Sequence, residues 1–359
     1  MTARAAPRLW QDRRPVKLLG MGVALPGEPL STAELLERLQ ARFEVDVRRQ
    51  GRRVAERLGI HSRHLCRDFA QRLERPRSGD TNAELAARAL RAALDESGVA
   101  PQELTYLIAH TTTPGVLLPP NIAQVADLIG YAGPFAELRQ ACTGFANALS
   151  FALGLLHAPD GGPVAIVGSE TGSVFFDPVR AAEDSGQFVN LLQMGDGAAA
   201  CVLGNSAAVG GAQLSPVFHG RLTDGHPPAF ALRAGGSDLG ATPRLIEFEH
   251  DYGNALEYGA AMFREAFTAA VRTGIDPATV SYVVPHQVSG RIATQLARLL
   301  EIEERRIFVN AQHLGNTGSA AIWLALAELR GSLGPGDSVC VLGAEATKHL
   351  FGGFLYVHA

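Results

Sequence analysis

Short apolar runs bounded by glycine or proline alternate along the chain with longer segments of helical periodicity. Runs of this length, rich in Val, Ile and Leu, are typical of β-strands. Segment 82–97 is predicted to be an amphipathic helix that is capped by Thr81 or Asn82 and ends at Gly98. Strands that alternate with helices indicate an α/β architecture. The predicted strands include VKLLGMGVALP, LTYLIAH, VAIVGSE, AAACVLG, VSYVVPH, RIFVN and SVCVLGAE.

Three segments of the first half of the chain recur in the second half in the same order. Each match joins an apolar run or a glycine-containing corner in one half to a similar stretch in the other. The aligned pairs are His110 with His286, Cys142 with Asn316, and Gly168 with Gly343, at offsets of 176, 174 and 175 residues. Matches at one nearly constant offset predict a duplicated α/β unit, with the two copies packed around a pseudo-two-fold axis.

The duplication predicts how the chain is divided and where its chemistry lies. The predicted regions are a loose N-terminal tail over 1–15, a first half over 16–205 and a second half over 206–359. Equivalent strand-to-helix corners of the two halves can converge near the axis between them. Cys142 from the first half could therefore share one site with His286 and Asn316 from the second.

Several motifs resemble those of the thiolase-fold condensing enzymes, and most closely those of the β-ketoacyl-acyl-carrier-protein synthase III group. The motifs are ACTGFANAL, VVPHQVSGRI, HLGNTGSAA and the terminal FGGF. The resemblance runs from about Val16 to the C-terminus and implies a five-layered αβαβα fold and a homodimer. It also implies acyl chemistry on thioesters of coenzyme A or acyl carrier protein. An expanded stretch at 42–77 and the sequence GAEATKHLFGGF depart from the family and indicate a specialised biosynthetic member.

The resemblance assigns the catalytic roles to three residues. Taken alone, a cysteine before a long apolar helix is more often a packing residue than a nucleophile. With the repeat and the motif, Cys142 is predicted to be the nucleophile, at a helix N-terminus that favours the thiolate. His286 and Asn316 are predicted to donate hydrogen bonds to a thioester carbonyl, which in the family stabilises the enolate formed when a malonyl group loses CO₂.

Further site residues follow from the same resemblance. The oxyanion hole is predicted to consist of the backbone N–H groups of Cys142 and Gly352, where the absence of a Cβ permits close approach. Asp196, in a buried Gly-Asp-Gly segment, is predicted to be structural. Purely structural roles are the alternatives for two of these residues: His286 could be a core histidine, and Gly352 could be an ordinary turn residue.

Three more residues match family positions that contact substrate. Arg57 and Arg291 correspond to positions near the mouth of the pantetheine tunnel, where they could bind a nucleotide phosphate or an acidic carrier protein. Leu118 corresponds to the residue that crosses the dimer interface and helps to close the partner's acyl pocket. Stretch 42–77 contains eleven arginines against five acidic residues, so it could be a docking surface, a lid or a solvated basic helix.

Composition narrows the class of protein further. A formal charge of −4 gives no general attraction to nucleic acid or to anionic membranes. The four cysteines lie far apart without a CxxC pair, so neither a disulfide framework nor a zinc site is indicated, and no metal is predicted. No cofactor is expected beyond coenzyme A or phosphopantetheine thioesters as substrates. The N-terminus lacks the apolar segment of a signal peptide, so a cytoplasmic protein is expected.

The sequence therefore predicts a homodimeric enzyme that uses acyl-CoA or acyl carrier protein and extends the acyl group with malonyl-carrier protein. One alternative is transfer of the acyl group to a hydroxyl or an amine. Another is non-decarboxylative joining of two β-ketoacyl chains, as in pyrone formation. A degenerate, non-catalytic partner subunit is a further possibility from a different class.

Overall fold

The computed structural model describes residues 7–44, 46–208, 210–222, 227–233 and 247–359. Strands and helices alternate through both halves of the chain, as the hydrophobic pattern predicts. The strands are β1 Leu9–Asp12, β2 Val16–Ala24, β3 Leu30–Ser31, β4 Ser62–Arg63, β5 Tyr106–His110, β6 Phe135–Leu138, β7 Val164–Glu170, β8 Gly197–Asn205, β9 Ala212–Arg221, β10 Phe230–Arg233, β11 Glu247–His250, β12 Tyr282–Pro285, β13 Ser338–Glu345 and β14 Leu350–Val357.

The helices connect these strands and cover the faces of the sheet. They are α1 Thr32–Phe43, α2 Arg48–Leu58, α3 Asn82–Ser97, α4 Asn121–Ile129, α5 Gly144–Leu156, α6 Pro178–Glu183, α7 Ser185–Gln193, α8 Tyr252–Arg272, α9 Ile292–Leu300, α10 Ala311–Leu314 and α11 Ala321–Arg330. Helix α3 begins where the sequence predicts, because the Thr81 hydroxyl accepts the N–H of Glu84 in a capping box. It ends at Gly98, which has a left-handed backbone conformation.

One sheet runs through the molecule in the order β12-β13-β14-β9-β2-β8-β7-β5-β6, with β1 beside β9. On one side, β6, β5 and β7 are parallel, and β8 and then β2 are added antiparallel. On the other side, β12 and β13 are parallel, and β14 and then β9 are added antiparallel. A parallel bridge from Val283 to Ile307 lies where β6 lies in the first half. The same strand pairing therefore occurs twice, and the two copies join where β2 pairs with β9.

Helices form three layers around the two copies of the sheet. α3 and α4 pack on the outer face of the first copy, and α8 and α9 on the outer face of the second. α5 and α11 lie between the copies, in a core that includes Phe145, Trp323 and Phe354. The ring of Phe145 contacts those of Trp323 and Phe354 edge-on, with centroids 6.1 and 5.8 Å apart. The arrangement is the five-layered αβαβα architecture that the resemblance implies.

The N-terminal segment differs from the prediction. Leu9–Asp12 form strand β1, which pairs antiparallel with residues 217–220 of β9. β2 covers only residues 212–214 of β9, so the rest of that edge is open to a further strand. The hydroxyl of Ser215 also donates to the carbonyl of Arg13 at 2.7 Å. The expectation of a loose tail over residues 1–15 is therefore wrong for this part of it.

Candidate active site

A single cavity brings the three predicted catalytic residues together. It has a volume of about 420 Å³, and Cys142, His286 and Asn316 all contribute to its wall. Apolar side chains of α8 and α9, such as Phe263 and Leu296, form much of the remaining wall. The residues come from three separate corners of the two halves, which is the convergence that the internal repeat predicts.

Cys142 lies in the corner between β6 and α5, with its side chain partly exposed to the cavity. The next residue fixes this corner, because the N–H and the hydroxyl of Thr143 donate to the Glu345 carboxylate at 2.8 and 2.7 Å. At Gly144 the helix passes so close to a neighbour that an added Cβ would lie 2.6 Å from Nδ1 of His110. Glycine is therefore required where the helix begins.

The electrostatics of the thiol differ from the prediction. Burial, followed by the negative charges of Glu345 and Glu170, raises the pKa of the Cys142 thiol well above its ordinary value. The expectation that the N-terminus of α5 favours the thiolate is thus reversed, since burial and two carboxylates outweigh the helix end. Cys142 rests as a thiol, and its proton must leave during the reaction.

His286 follows directly after β12, and its backbone N–H donates to the carbonyl of Leu342 at 2.8 Å. Burial lowers the pKa of its imidazole to about 4, so the ring is neutral near pH 7. Within the described part of the chain, Nδ1 of His286 has no hydrogen-bond partner. The histidine of a hydrolase triad is oriented by a carboxylate or amide behind it. His286 lacks such a partner there, so its geometry fits a neutral hydrogen-bond donor better than a triad base.

Asn316 is held by its backbone and by one side of its amide. Its N–H donates to the carbonyl of Gln193 at 2.8 Å, and its carbonyl accepts the N–H of Gly195 at 3.1 Å. The side-chain Oδ1 accepts the N–H of Gly318 at 3.0 Å. Because Oδ1 is engaged, the Nδ2 amide group remains as the donor at the cavity wall. A thioester carbonyl oxygen requires such a hydrogen-bond donor in order to bind.

His110, the counterpart of His286 in the repeat, has a different environment. It is fully buried, and its Nε2 accepts the indole N–H of Trp323 at 3.1 Å. Burial lowers the pKa of its imidazole to about 3. Helix α5 covers this position through Gly144, so the first-half histidine belongs to the core and does not line the cavity.

The prediction for Gly352 requires correction. Gly352 lies within β14, paired on one side with Gly343 of β13 and on the other with His219 of β9. A Cβ on Gly352 would lie 2.8 Å from the Cβ of Ala146, so the missing side chain serves the packing of α5 against the sheet. Gly352 does not line the cavity, and the structure gives no support to an oxyanion-hole role for it. The C-terminal segment that reaches the cavity is 344–347.

The predicted substrate-binding residues are divided among different surfaces. Arg57, near the end of α2, lines the cavity. Arg291 caps α9 beside α2, where its guanidinium donates to the carbonyl of Glu56 at 3.4 Å, and it does not line the cavity. Leu118 lies on the surface with 85% of its area exposed and also does not line it.

Asp196 has the structural role that the sequence indicates. Its buried carboxylate accepts the N–H of Cys66 at 2.8 Å and the N–H of Ser173 at 3.1 Å. The thiol of Cys66 lies 3.3 Å from the Ser173 hydroxyl. Asp196 therefore joins the two loops that carry Cys66 and Ser173, and Cys66 is part of that packing.

Two buried glutamates at the site were not predicted. Glu170 ends β7, Glu345 ends β13, and both line the cavity near Cys142. The repeat aligns them, since Gly168 corresponds to Gly343. The same alignment could have identified both glutamates from the sequence.

The cavity also has walls that no sequence motif marks. Side chains from α7 and from the β10–β11 hairpin line it. They are Asn190, Gln193, Phe230, Phe248 and His250. Nδ1 of His250 lies 2.6 Å from Oδ1 of Asn190. Nothing in the local sequence of these residues distinguishes them from ordinary core and surface positions.

Family models match the two segments that carry the site. The model for 3-oxoacyl-[acyl-carrier-protein] synthase III matches residues 136–219, which include Cys142. The model for the C-terminal part of the same enzyme matches residues 271–348, which include His286 and Asn316. A β-ketoacyl-[acyl-carrier-protein] synthase III from Rhodospirillum centenum is 29% identical over 314 residues, which cover 87% of this chain and 88% of that protein.

Solved structures of the same kind superimpose on almost the whole chain. AbyA1, a tetronic acid condensing enzyme, is 27% identical with a TM-score of 0.82, over 95% of this chain and 99% of its own. The priming β-ketosynthase of the R1128 polyketide pathway is 25% identical with a TM-score of 0.78, over 99% of each chain.

The fold, the cavity and these similarities agree: the chain has the five-layered thiolase fold and resembles the synthase III-type condensing enzymes. The family models and the curated relative are all named as synthase III, so the resemblance holds in sequence as well as in fold. Among the helices of the described residues, none is long and apolar enough to span a bilayer.

Proposed function

We propose that this enzyme carries out a two-stage condensation in which Cys142 is acylated and the acyl group is then joined to a malonyl unit with loss of CO₂. The observation that carries the proposal is the meeting of Cys142, His286 and Asn316 in one cavity. The donor is an acyl thioester of coenzyme A or of acyl carrier protein. The second substrate is a malonyl thioester on acyl carrier protein.

In the first stage, the sulfur of Cys142 attacks the thioester carbonyl of the donor. A new carbon–sulfur bond to Cys142 forms, the bond to the donor sulfur breaks, and the Cys142 proton leaves with the departing thiol. Because the resting residue is a thiol, its proton must be transferred as the donor is attacked. We expect the leaving sulfur of the bound donor to take that proton.

In the second stage, His286 and the Nδ2 group of Asn316 donate hydrogen bonds to the malonyl thioester carbonyl. Loss of CO₂ leaves an enolate, and these donors stabilise its oxygen. The enolate carbon bonds to the acyl carbon, and the Cys142–acyl bond breaks. The sulfur leaves as a thiolate and takes up a proton from water, which restores the resting thiol. Loss of CO₂ generates the carbon nucleophile, so no base is needed to remove a proton from carbon. The apolar Leu118 is compatible with that route.

Two structural relatives support a role in specialised biosynthesis. One is described as a tetronic acid condensing enzyme and the other as a polyketide priming ketosynthase. Both match over nearly the whole chain. We infer that this protein acts in polyketide or related fatty-acid-derived biosynthesis.

The test uses the purified protein and intact mass spectrometry. Incubation with a panel of acyl-CoA and acyl-carrier-protein donors should add the mass of one acyl group, and malonyl-carrier protein should then release CO₂ and form an extended product. Extension without CO₂ release, or transfer of the acyl group to an added hydroxyl or amine, would contradict the decarboxylative route and support one of the other reactions. No mass shift with any donor would contradict the proposal as a whole.

We also propose that helix α2 forms the docking surface for the carrier protein. It exposes a row of arginines and ends at the cavity, where Arg57 contributes to the wall. The exposed arginines of α2 include Arg49, Arg52 and Arg53. Basic side chains beside the mouth would attract and orient an acidic carrier protein.

A homodimer is proposed on the basis of an exposed apolar surface at one end of the sheet. Leu117 and Leu118 are 56% and 85% exposed, and Phe151 is 56% exposed. β6, with Phe135 39% exposed, is the end strand of the sheet among the described strands. An uncovered strand edge with apolar neighbours fits pairing with the same surface of a second copy.

Leu118→Asp is expected to weaken this dimer, because it places a charge in an apolar contact. Light scattering coupled to size-exclusion chromatography should show a shift towards the monomer mass at micromolar concentration. Val271→Asp is the matched control, since Val271 is 51% exposed on the distant helix α8. Equal effects of the two substitutions would contradict the proposed interface.

A further inference from the structure

Two buried glutamates occupy equivalent positions in the two halves. Glu170 ends β7 and Glu345 ends β13, and both are 2% exposed. Each is the last residue of a strand that pairs in parallel with the strand at whose end the histidine of its own half lies. Their equivalence therefore holds in the three-dimensional structure as well as in the aligned sequences.

Each carboxylate binds the corner of the opposite half. Oε2 of Glu345, in the second half, accepts the N–H and the hydroxyl of Thr143, the residue after Cys142, at 2.8 and 2.7 Å. Oε2 of Glu170, in the first half, accepts the N–H and the hydroxyl of Ser319, close to Asn316, at 3.1 and 2.8 Å. In both contacts one carboxylate oxygen accepts the backbone N–H and the hydroxyl of a single residue, and the two contacts run in opposite directions between the halves.

The remaining contacts show that both carboxylates are built into the site. Oε1 of Glu345 accepts the hydroxyl of Thr347, and Oε1 of Glu170 accepts the N–H and the hydroxyl of Thr112 at 3.2 and 2.7 Å. At Gly318, which has a φ of +50°, an added Cβ would lie 2.6 Å from Oε2 of Glu170. The backbone of the Asn316 corner thus leaves room for the carboxylate to approach.

We propose that Glu345 and Glu170 are a crossed pair of positioning residues: Glu345 places the nucleophile Cys142 and holds its thiol in the neutral form, and Glu170 places the Asn316 corner. The proposal deepens the function proposed above and rests on Cys142 being the nucleophile. The carboxylates do not contact substrate atoms in this role. They act through Thr143 and Ser319, and through their charge.

The charge of these groups has a direct consequence at the thiol. Negative charge beside a buried sulfur disfavours the thiolate, in the same direction as burial itself. The titratable groups around the Cys142 corner and along the cavity are Glu345, Glu170, His286, His250, Arg57 and, behind Gly144, His110. The three histidines have lowered pKa values and are neutral near pH 7. Burial raises the pKa of the Glu170 carboxyl, so Glu345, which binds Thr143 beside Cys142, is the main source of negative charge at the thiol.

The test measures the pH dependence of Cys142 alkylation by iodoacetamide, followed by intact mass and peptide mapping. Glu345→Gln keeps the size and the acceptor oxygen but removes the charge. The midpoint of its alkylation profile should move to lower pH, and the rate at pH 7.5 should rise by about three- to tenfold. Glu345→Asp keeps the charge and should retain the wild-type midpoint. Glu103→Gln removes an exposed carboxylate and is the control for net charge.

An unchanged midpoint in Glu345→Gln would overturn the proposal for the nucleophile, because a purely structural glutamate would not move it. Glu170→Gln should slow chain extension more than it slows acylation, and equal slowing of the two stages would overturn its part. Alkylation requires no acyl donor. A protein that failed to condense but showed the midpoint shift would refute the proposed reaction and leave the role of Glu345 standing.

Discussion

Replacing Cys142 with alanine is expected to abolish the acyl-enzyme and to lower product formation by at least about a thousandfold. The reason is chemical, since an alanine methyl group cannot form the thioester that links the two stages. Intact mass spectrometry with an acyl-CoA donor should show no added mass in Cys142→Ala. Wild-type protein under the same conditions should gain the mass of one acyl group.

The matched control is another cysteine of the same chain. Cys201 lies fully buried in β8, and Cys201→Ala removes a thiol without touching the cavity. That variant should acylate at the wild-type rate, with a small loss of thermal stability from the lost packing. Acylation that persists in Cys142→Ala, or that disappears in Cys201→Ala, would show that the nucleophile has been misassigned.

Replacing His286 or Asn316 with alanine is expected to suppress chain extension while much of the acylation remains. In the proposed reaction each side chain donates a hydrogen bond to the oxygen on which the enolate charge develops, and loss of such a donor costs about 3–4 kcal/mol. Extension should fall by about a hundred- to a thousandfold in each variant. The two stages are measured separately, by the acyl-enzyme mass and by CO₂ release from malonyl-carrier protein.

The pH profile adds a second readout for His286. Because burial lowers the pKa of its imidazole to about 4, the ring stays neutral from pH 8 down to about pH 5. The wild-type extension rate, measured with a fully acylated enzyme, should therefore not show a histidine titration near pH 6.5. Equal loss of both stages in His286→Ala and Asn316→Ala would mean that these residues also act in acylation.

The duplicated α/β organisation could be derived from the sequence because it is repeated there, whereas the five layers and the roles of the three site residues were implied by the family resemblance. The short apolar runs mark strands, and the constant offset between the halves places Cys142 opposite Asn316. The repeat does not say which member of each pair reaches the cavity. His110 and His286 are equivalent in sequence, but α5 and Trp323 enclose His110 in the core. Only packing distinguishes the two histidines.

Other features depend on tertiary contacts that a local pattern does not contain. Gly352 looks like part of a loop of glycines, yet it lies in a strand that is paired on both sides. Strand β1 forms because β9 has an unpaired edge, which no property of Leu9–Asp12 alone reveals. The pKa of the Cys142 thiol is raised first by burial and then by the charge of Glu345, which lies about two hundred residues further along the chain.

The backbone contacts at Asn316 bear on how substrates reach and leave the centre. Asn316 exchanges hydrogen bonds with Gln193 and Gly195 of the opposite half, and β2 and β9 join the two halves in one sheet. A hinge between the halves would have to break this ladder and these bonds together. The two halves should therefore keep the same relative position during turnover. Any motion that opens the cavity should involve the elements that line it from outside this ladder, such as α2 and the β10–β11 hairpin.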